Sequence, residues 1–117
     1  MSTPIGPYTP VVRAGDWLVC SGQVGARDGT LVSGDTVDQL DQAFANLVAV
    51  LGQEGASLAD VVKITVFLRH MSDFPRMNEA YLIALGDHRP ARTTIGVADL
   101  PLGALVEIEA WAHVPSS

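Results

Sequence analysis

Apolar and polar residues alternate along five stretches of the chain, in the way that is typical of half-buried β-strands. The first two stretches, residues 11–13 and 17–24, are separated by Ala14-Gly15-Asp16. A short turn of this kind between two alternating runs predicts a hairpin. The other three stretches cover residues 61–69, 89–95 and 104–114.

Two further stretches repeat their apolar residues every three or four positions, which is the spacing of a helix with one buried face. The first begins at the capping-box pattern Thr36-Val37-Asp38-Gln39, and the helix is predicted to end near Gly52 or Gly55. The second opens at Ser72-Asp73 and ends at Gly86. The stripes that we expect to be buried are Val37, Leu40, Phe44, Leu47 and Leu51, then Phe74, Met77, Tyr81, Ala84 and Leu85; Asn78 is placed off the second stripe.

The order of elements, ββ-α-β-α-ββ with both helices on one sheet face, predicts a two-layer α+β fold of one domain spanning residues 1–117. The strand at 61–69 has one apolar face, which belongs against the helices. Its other face carries Lys63 and Thr65 and is too mixed to lie under a helix. We therefore expect a second subunit to cover that face.

The composition is that of a compact globular protein with a single core, since 48% of its 117 residues are hydrophobic and 17% are charged. So large an apolar fraction in so small a chain also favours burial of surface between subunits. The formal net charge is −6 and Lys63 is the only lysine, so no basic face for nucleic acid is predicted. An anionic small substrate is still compatible, because a local arginine can oppose the overall field.

The remaining composition excludes several kinds of site. Cys20 is the only cysteine, so neither an internal disulfide nor a cysteine-built metal site is expected, and Cys20 is predicted to be a small core residue. His70 has no second metal ligand at a suitable spacing and is predicted to lie on the surface. Because no apolar run reaches bilayer length and the N-terminus lacks a signal-peptide pattern, we expect no membrane partner and a cytoplasmic location.

The first candidate for chemistry is the segment His88-Arg89-Pro90-Ala91-Arg92-Thr93-Thr94-Ile95. Pro90 favours extended backbone before it, so the segment leaves a helix and begins a strand with Arg92 and Thr94 on one face. An arginine at a strand start can offer its planar fork to a carboxylate. The alternative is a surface arginine paired with a nearby acidic residue.

Two other places carry candidate side chains. Glu107 and Glu109 share one face of the last strand, either as solvent-exposed residues or, near a strand-borne arginine, as site residues. Gly22 lies inside a predicted strand, which indicates a β-bulge or a close approach to the backbone. Ser21 beside it reads on its own as an ordinary strand serine.

Taken together, these segments resemble the RidA (YjgF/YER057c/UK114) family, and the similarity runs in order over nearly the whole chain. The segments that carry the resemblance are Ile5-Gly6-Pro7-Tyr8, Val19-Cys20-Ser21-Gly22-Gln23-Val24, Val61-Val62-Lys63-Ile64-Thr65-Val66-Phe67-Leu68, Asp73-Phe74-Pro75-Arg76-Met77-Asn78-Glu79-Ala80-Tyr81, Pro90-Ala91-Arg92-Thr93-Thr94, and Leu100-Pro101-Leu102-Gly103-Ala104-Leu105-Val106-Glu107-Ile108-Glu109-Ala110.

The resemblance implies a chorismate-mutase-like α+β fold that assembles as a homotrimer with clefts between subunits. It also implies a reactive-intermediate deaminase that hydrolyses 2-imino acids, formed from enamines, to 2-oxo acids and ammonia without a cofactor or metal. The family's carboxylate-binding arginine falls on Arg92 and its water-positioning glutamate on Glu107, and the pocket tyrosine falls on Tyr8. The strand Ser-Gly pair falls on Ser21 and Gly22.

The chain departs from the family pattern at two places. Thr94 stands where the family often has cysteine, and because the role there belongs to the main-chain carbonyl, Thr94 is kept as a substrate-binding residue. After Gln23, Gly25-Ala26-Arg27 replaces the usual proline-containing start of the loop, which bears on substrate size more than on reaction type.

Two other functions compete with a general imine deaminase. One is a pathway-specific enamine deaminase of the aminoacrylate or aminomuconate type. The other is a non-catalytic binding or stress module, or a ribonuclease, because relatives have been described as chaperone-like, as translation inhibitors or as ribonucleases. The net negative charge argues against RNA binding, and the presence of both Arg92 and Glu107 favours catalysis.

Overall fold

The computed structural model describes residues 6–115; the N-terminal residues 1–5, with the Ile5 of the first matching segment, and residues 116–117 lie outside the described residues. The strands are β1 (Val11–Ala14), β2 (Trp17–Val24), β3 (Ala26–Arg27), β4 (Thr30–Leu31), β5 (Val61–Leu68), β6 (Ala91–Gly96) and β7 (Val106–His113), and the helices are α1 (Thr36–Gln53) and α2 (Phe74–Leu85). The main sheet has the order β1-β2-β7-β5-β6, and only β5 and β6 pair in parallel. The predicted α+β fold, with two helices packed on a mixed sheet, is confirmed.

The core lies between the helices and one face of this sheet. Ile64, Val66 and Leu68 of β5 are fully buried, as are Val106 and Ile108 of β7. Each such side chain contributes about 1.5–3 kcal/mol when it leaves water. The helices complete the core with Leu40, Ala43, Phe44, Leu47, Val50 and Leu51 from α1 and Met77, Ala80, Tyr81 and Leu85 from α2.

The opposite face of the sheet, called here the helix-free face, carries large apolar side chains that remain in contact with solvent. Val12 is 50% exposed, Ile95 is 43% exposed and Trp111 is 44% exposed. Trp17 packs edge-on against Trp111, with ring centres 6.3 Å apart. The expected cover of that side of β5 by another subunit stays a prediction.

Two local details differ from the sequence prediction. Helix α1 is capped by Asp35, whose carboxylate accepts from the Val37 and Asp38 amides. In the reciprocal bond the Asp35 amide donates to Asp38 Oδ2 at 2.9 Å. The predicted capping box at Thr36 is therefore one residue too late, because Asp caps as well as Thr. The Thr36 hydroxyl donates instead to Asp73 Oδ2 at 2.6 Å, which joins the N-termini of the two helices. The segment expected to be a loop after Gln23 forms the small hairpin of β3 and β4.

A β-bulge interrupts β2 at the Ser21-Gly22 pair. Cys20 pairs with Ala110 but Gln23 pairs with Ile108, so two residues of β2 stand opposite one of β7. The bulge reverses the alternation of side chains, and Val24 now pairs with Glu107. Unbroken alternation along β2 predicts Val24 on the same face as Cys20, and the bulge places it on the face of Glu107 instead.

Candidate active site

Arg92 lies on the edge strand β6 and points to the side of the sheet that the helices cover. The parallel register places it beside Ile64, a core residue. Arg92 Nη1 donates a hydrogen bond of 2.8 Å to Asn78 Oδ1. The guanidinium carbon lies 4.8 Å from the centre of the Tyr81 ring and 5.5 Å from that of Phe74. Helix α2 therefore holds Arg92, and no carboxylate of residues 6–115 forms an ion pair with it.

An open cavity of ≈ 390 Å³ lies next to this guanidinium. Arg89 also lines the cavity, with its Nη1 donating to the His88 carbonyl at 2.9 Å. The lining contains two guanidiniums and no carboxylate, and the full set is Asn78, Tyr81, Leu82, Arg89, Pro90 and Arg92. Although the chain has a net charge of −6, this cavity is locally positive and suits an anion.

Two hydroxyls near Arg92 are buried without a partner among the described residues: Tyr81 Oη and Thr94 Oγ1. Thr94 lies on the same face of β6 as Arg92, beside Val66. Burial raises the pKa of Tyr81, while the positive charges of Arg92 and Arg89 act in the opposite direction. Because buried polar groups normally have partners, these hydroxyls mark an environment that can accept a polar ligand.

Glu107 lies on β7 and points to the helix-free face, where it pairs with Phe67 of β5. Burial raises the pKa of this carboxyl, and the negative charge of Glu109 acts in the same direction. A Cβ atom built on Gly22 would lie 2.5 Å from Glu107 Oε2, so glycine at the bulge leaves the room that this carboxylate occupies. Within the described part of the chain, no donor hydrogen-bonds the Glu107 carboxylate, so both of its oxygens remain available.

Ser21 ties the N-terminal segment to the bulge. Its hydroxyl donates to the Thr9 carbonyl at 2.6 Å, and its amide donates to the Pro10 carbonyl at 2.8 Å. These bonds anchor Thr9 and Pro10 to the bulge, and Tyr8 directly precedes Thr9 in the chain. The Tyr8 residue is 42% exposed. Tyr8, Ser21, Gly22 and Glu107 thus belong to one part of the molecule, called here the bulge cluster.

The structure does not bring Arg92 and Glu107 together within one chain. Strand β5 lies between their strands, and Arg92 shares the face of Ile64 whereas Glu107 shares the face of Phe67. Residues three apart on a strand point to opposite faces. The sequence suggests that Arg92 and Glu107 are neighbours, but within one chain they lie on opposite sides of the sheet.

Sequence reasoning missed the contacts that helix α2 makes with Arg92. The apolar stripe predicts Phe74 and Tyr81 as core residues only and leaves Asn78 outside the buried face. The spacing of 74, 78 and 81 is nevertheless i, i+4 and i+7, which puts the three residues on one helical face. That spacing was the available signal, and the half-buried Asn78 confirms it.

The other predicted residues have simpler environments. Cys20 is 3% exposed, as predicted for a core residue, and burial raises the pKa of its thiol to about 11. His70 lies on the surface, as predicted.

The described residues contain no group of three His, Cys, Asp or Glu side chains that could hold a metal ion. None of the helices that the structure describes is both long enough and apolar enough to span a membrane.

Comparison with known proteins decides the family. The model of the family described as "Endoribonuclease L-PSP" matches residues 1–114. A 2-iminobutanoate/2-iminopropanoate deaminase of Dermatophagoides farinae is 44% identical over 108 residues, which are 91% of this chain and 84% of that protein. The crystal structure of RidA from an Antarctic Psychrobacter matches with a TM-score of 0.92 and 36% identity, covering 97% of this chain and 93% of that one. The chain belongs to the RidA family.

Relatives of this RidA-family chain carry different kinds of name. A RutC family protein of Pyrococcus horikoshii is 44% identical over 112 residues, which are 94% of this chain and 89% of that protein, and its name states no reaction. The expected family is therefore confirmed, while the names of its members range from a stated deaminase activity to family membership alone.

Proposed function

We propose that this protein is a hydrolytic deaminase of 2-imino acids of the 2-iminobutanoate/2-iminopropanoate type, converting them to 2-oxo acids and ammonia. The observation that carries the proposal is the locally positive cavity at Arg92 in a chain of net charge −6. The name of the Dermatophagoides farinae relative supports the same reaction.

Arg92 binds the substrate carboxylate in this proposal. Asn78 accepts a hydrogen bond from Nη1 only, so Nε and Nη2 have no acceptor among residues 6–115. An arginine edge with two free donors can bind a carboxylate through two parallel hydrogen bonds. Because the C=N carbon is bonded to this carboxylate, binding of the carboxylate also fixes the position of the carbon that the water attacks.

Glu107 directs the water. Its raised pKa makes it a better base than an ordinary glutamate, and its unoccupied oxygens can hold a water molecule. The water adds its oxygen to the iminium carbon while its proton passes to Glu107. The proton then returns to the amino group, the C–N bond breaks, and ammonia leaves as the hydroxyl loses its proton and becomes the 2-oxo group.

We further propose that the site is completed between chains of a homotrimer. Arg92 and Glu107 lie on opposite faces of one sheet, so a single small substrate can contact both only if they come from different copies. The apolar helix-free face supplies surface that such an assembly would bury. The trimeric state and the chorismate-mutase-like arrangement of subunits follow from the family resemblance, and the cytoplasmic location stays a prediction.

The function is tested by adding the purified protein to a threonine dehydratase reaction and following the appearance of 2-oxobutanoate. The wild-type protein is expected to accelerate product formation, and the Arg92→Ala variant is not. Arg69→Ala is the matched control, because Arg69 is an exposed arginine at the end of β5 that faces Asp99 at 3.6 Å. Equal rates with wild type and Arg92→Ala would contradict the proposed role of Arg92.

The pathway-specific alternative is favoured by the departure after Gln23. The structure places there the β3–β4 hairpin, which Asn46 fixes to α1 by donating to the Val24 and Ala26 carbonyls at 3.1 and 2.9 Å. A panel of small, branched and aromatic imino acids separates the two functions. A general deaminase accelerates several of them, whereas a pathway-specific deaminase accelerates one class.

A further inference from the structure

We propose that Asn78 is the positioning residue of Arg92, and that its neutral amide oxygen fixes the rotation of the guanidinium while leaving its positive charge available to a carboxylate. The proposal rests on the function proposed above for Arg92. It assigns a role to Asn78, which lies off the predicted apolar stripe of α2.

The directional contact of Arg92 is with Asn78. The 2.8 Å bond from Nη1 to Oδ1 has the length of a hydrogen bond from a charged donor. The Tyr81 and Phe74 rings, at 4.8 and 5.5 Å, attract the cation through their faces. A ring face attracts the whole guanidinium, however, and does not distinguish Nη1 from Nη2. The rotation of the group in its own plane is therefore set by Asn78.

Arg92 needs such a restraint because β6 is the edge strand of the sheet. No strand of the described chain lies on its outer side, so neighbouring side chains confine Arg92 from the β5 side and from α2 only. A long side chain at an edge loses much rotamer freedom when it binds a ligand. If Asn78 already holds the guanidinium in the free protein, less conformational entropy is lost when the carboxylate binds, and the affinity for the carboxylate is higher.

The choice of asparagine over aspartate is part of the proposal. Both residues offer an oxygen at the same position, but aspartate would form an ion pair with Arg92 and cancel the charge that attracts the substrate. Since the cavity contains two guanidiniums and no carboxylate, an aspartate at position 78 would place a negative charge in its lining. The cavity thus keeps its positive character because the acceptor is neutral.

The test compares the steady-state kinetics of Asn78→Ala and Asn78→Asp with wild type. Asn78→Ala is expected to raise the KM for 2-iminobutanoate about tenfold, the equivalent of one hydrogen bond to a charged group, with little change in kcat. Asn78→Asp is expected to raise KM further. A merely structural role for Asn78 predicts the opposite order, because aspartate is nearly isosteric with asparagine and alanine is not. Glu79→Ala, an exposed change on the same helix, is the matched control.

A second measurement does not depend on activity. The side-chain N–H signals of Arg92 in nitrogen-15 NMR, assigned with Arg92→Lys, report the rotation of the guanidinium. In wild type and Asn78→Asp the Nη1 hydrogens are expected to rotate slowly, since an acceptor is present. In Asn78→Ala the signals are expected to merge through fast rotation. Thermal unfolding of each variant verifies that it is folded, and Asn78→Ser replaces Asn78→Ala if the alanine variant is not.

The outcomes separate this inference from the proposed function. If wild type accelerates imine hydrolysis, Arg92→Ala does not, and Asn78→Ala keeps both the wild-type KM and the wild-type NMR signals, the positioning role is wrong and the function stands. If wild type does not accelerate hydrolysis, the proposed function is wrong, and the NMR comparison alone decides whether Asn78 orients Arg92.

Discussion

At the scale of single residues, Glu107 combines a stability cost with a proposed catalytic benefit. Burial raises the pKa of this carboxyl, which means that the folded protein favours its protonated form. The carboxyl therefore contributes stability below its unfolded-state pKa, and that contribution is lost as the pH rises through the raised folded-state pKa. A residue whose ionised form lowers the stability of the folded protein at neutral pH is a candidate for a functional role rather than a structural one.

We accordingly expect Glu107→Gln to increase the free energy of unfolding at pH 8 relative to wild type, and to remove the acceleration of imine hydrolysis. The stability difference is expected to shrink as the pH falls to 4, where wild-type Glu107 is increasingly protonated. Urea unfolding at both pH values measures it, with Glu79→Gln as the exposed control. A Glu107→Gln protein that is less stable than wild type by the same amount at both pH values would contradict this account.

A substitution at Gly22 tests the bulge cluster without replacing a charged residue. A Cβ at this position meets the end of the Glu107 side chain, which is flexible enough to move. Gly22→Ala is therefore expected to lower activity about 10- to 100-fold by displacing the carboxylate, at a stability cost of about 1 kcal/mol or less. Gly52→Ala is the control, since a Cβ in this last turn of α1 meets nothing within 4 Å. It is expected to stabilise the protein by about 0.5–1 kcal/mol and leave activity unchanged. Wild-type activity in Gly22→Ala would show that this contact is unimportant.

At the scale of elements, periodicity predicted both helices and the five strands of the main sheet because their buried faces are continuous. It failed where a local interaction changed the pattern. The bulge at Ser21-Gly22 reverses the alternation of β2, and the α1 cap lies at Asp35 because a second capping residue directly precedes Thr36. These features depend on competition between neighbouring residues, which an apolar pattern does not contain.

Arg92 and Glu107 are site residues by family resemblance, and that assignment stays a prediction. The resemblance did not predict their geometry, because their placement on opposite faces depends on how β5 pairs with each of its neighbours. That register is set by tertiary packing. The contact between Asn78 and Arg92 likewise joins a helix to an edge strand, and only the i, i+4, i+7 spacing on α2 pointed to it.

The attachment of the β3–β4 hairpin to α1 gives a prediction at this scale. A Cβ on Gly25 would lie 2.4 Å from the Gln39 carbonyl oxygen, and backbone cannot move aside as a side chain can. Gly25→Ala is expected to lower the free energy of unfolding by about 1–3 kcal/mol, measured by urea denaturation. Gly52→Ala serves again as the control. If Gly25→Ala is as stable as wild type, the hairpin does not approach the helix this closely.

At the scale of the whole molecule, the helix-free face and the divided site both favour assembly of several copies, and the family resemblance predicts that the assembly is a homotrimer. Sedimentation is expected to give three times the 12.4 kDa mass of the chain. Ile95→Asp places a charge on the helix-free face and is expected to shift the mass towards that of a single chain. Ile83→Asp is the matched control, because Ile83 is 83% exposed on the outer side of α2. Equal masses for the two variants would show that the helix-free face near Ile95 is not the interface.

The most direct test of the central claim mixes two inactive variants. If Arg92 of one chain and Glu107 of another form each site, Arg92→Ala and Glu107→Gln chains that are co-expressed and purified through two different tags contain some sites with both native residues. Every trimer that carries both tags contains both kinds of chain, so one of its three sites would be native, and about a third of the wild-type deaminase activity should return. If the co-purified mixture is as inactive as either variant alone, the two residues do not act across chains, and the proposed site is wrong.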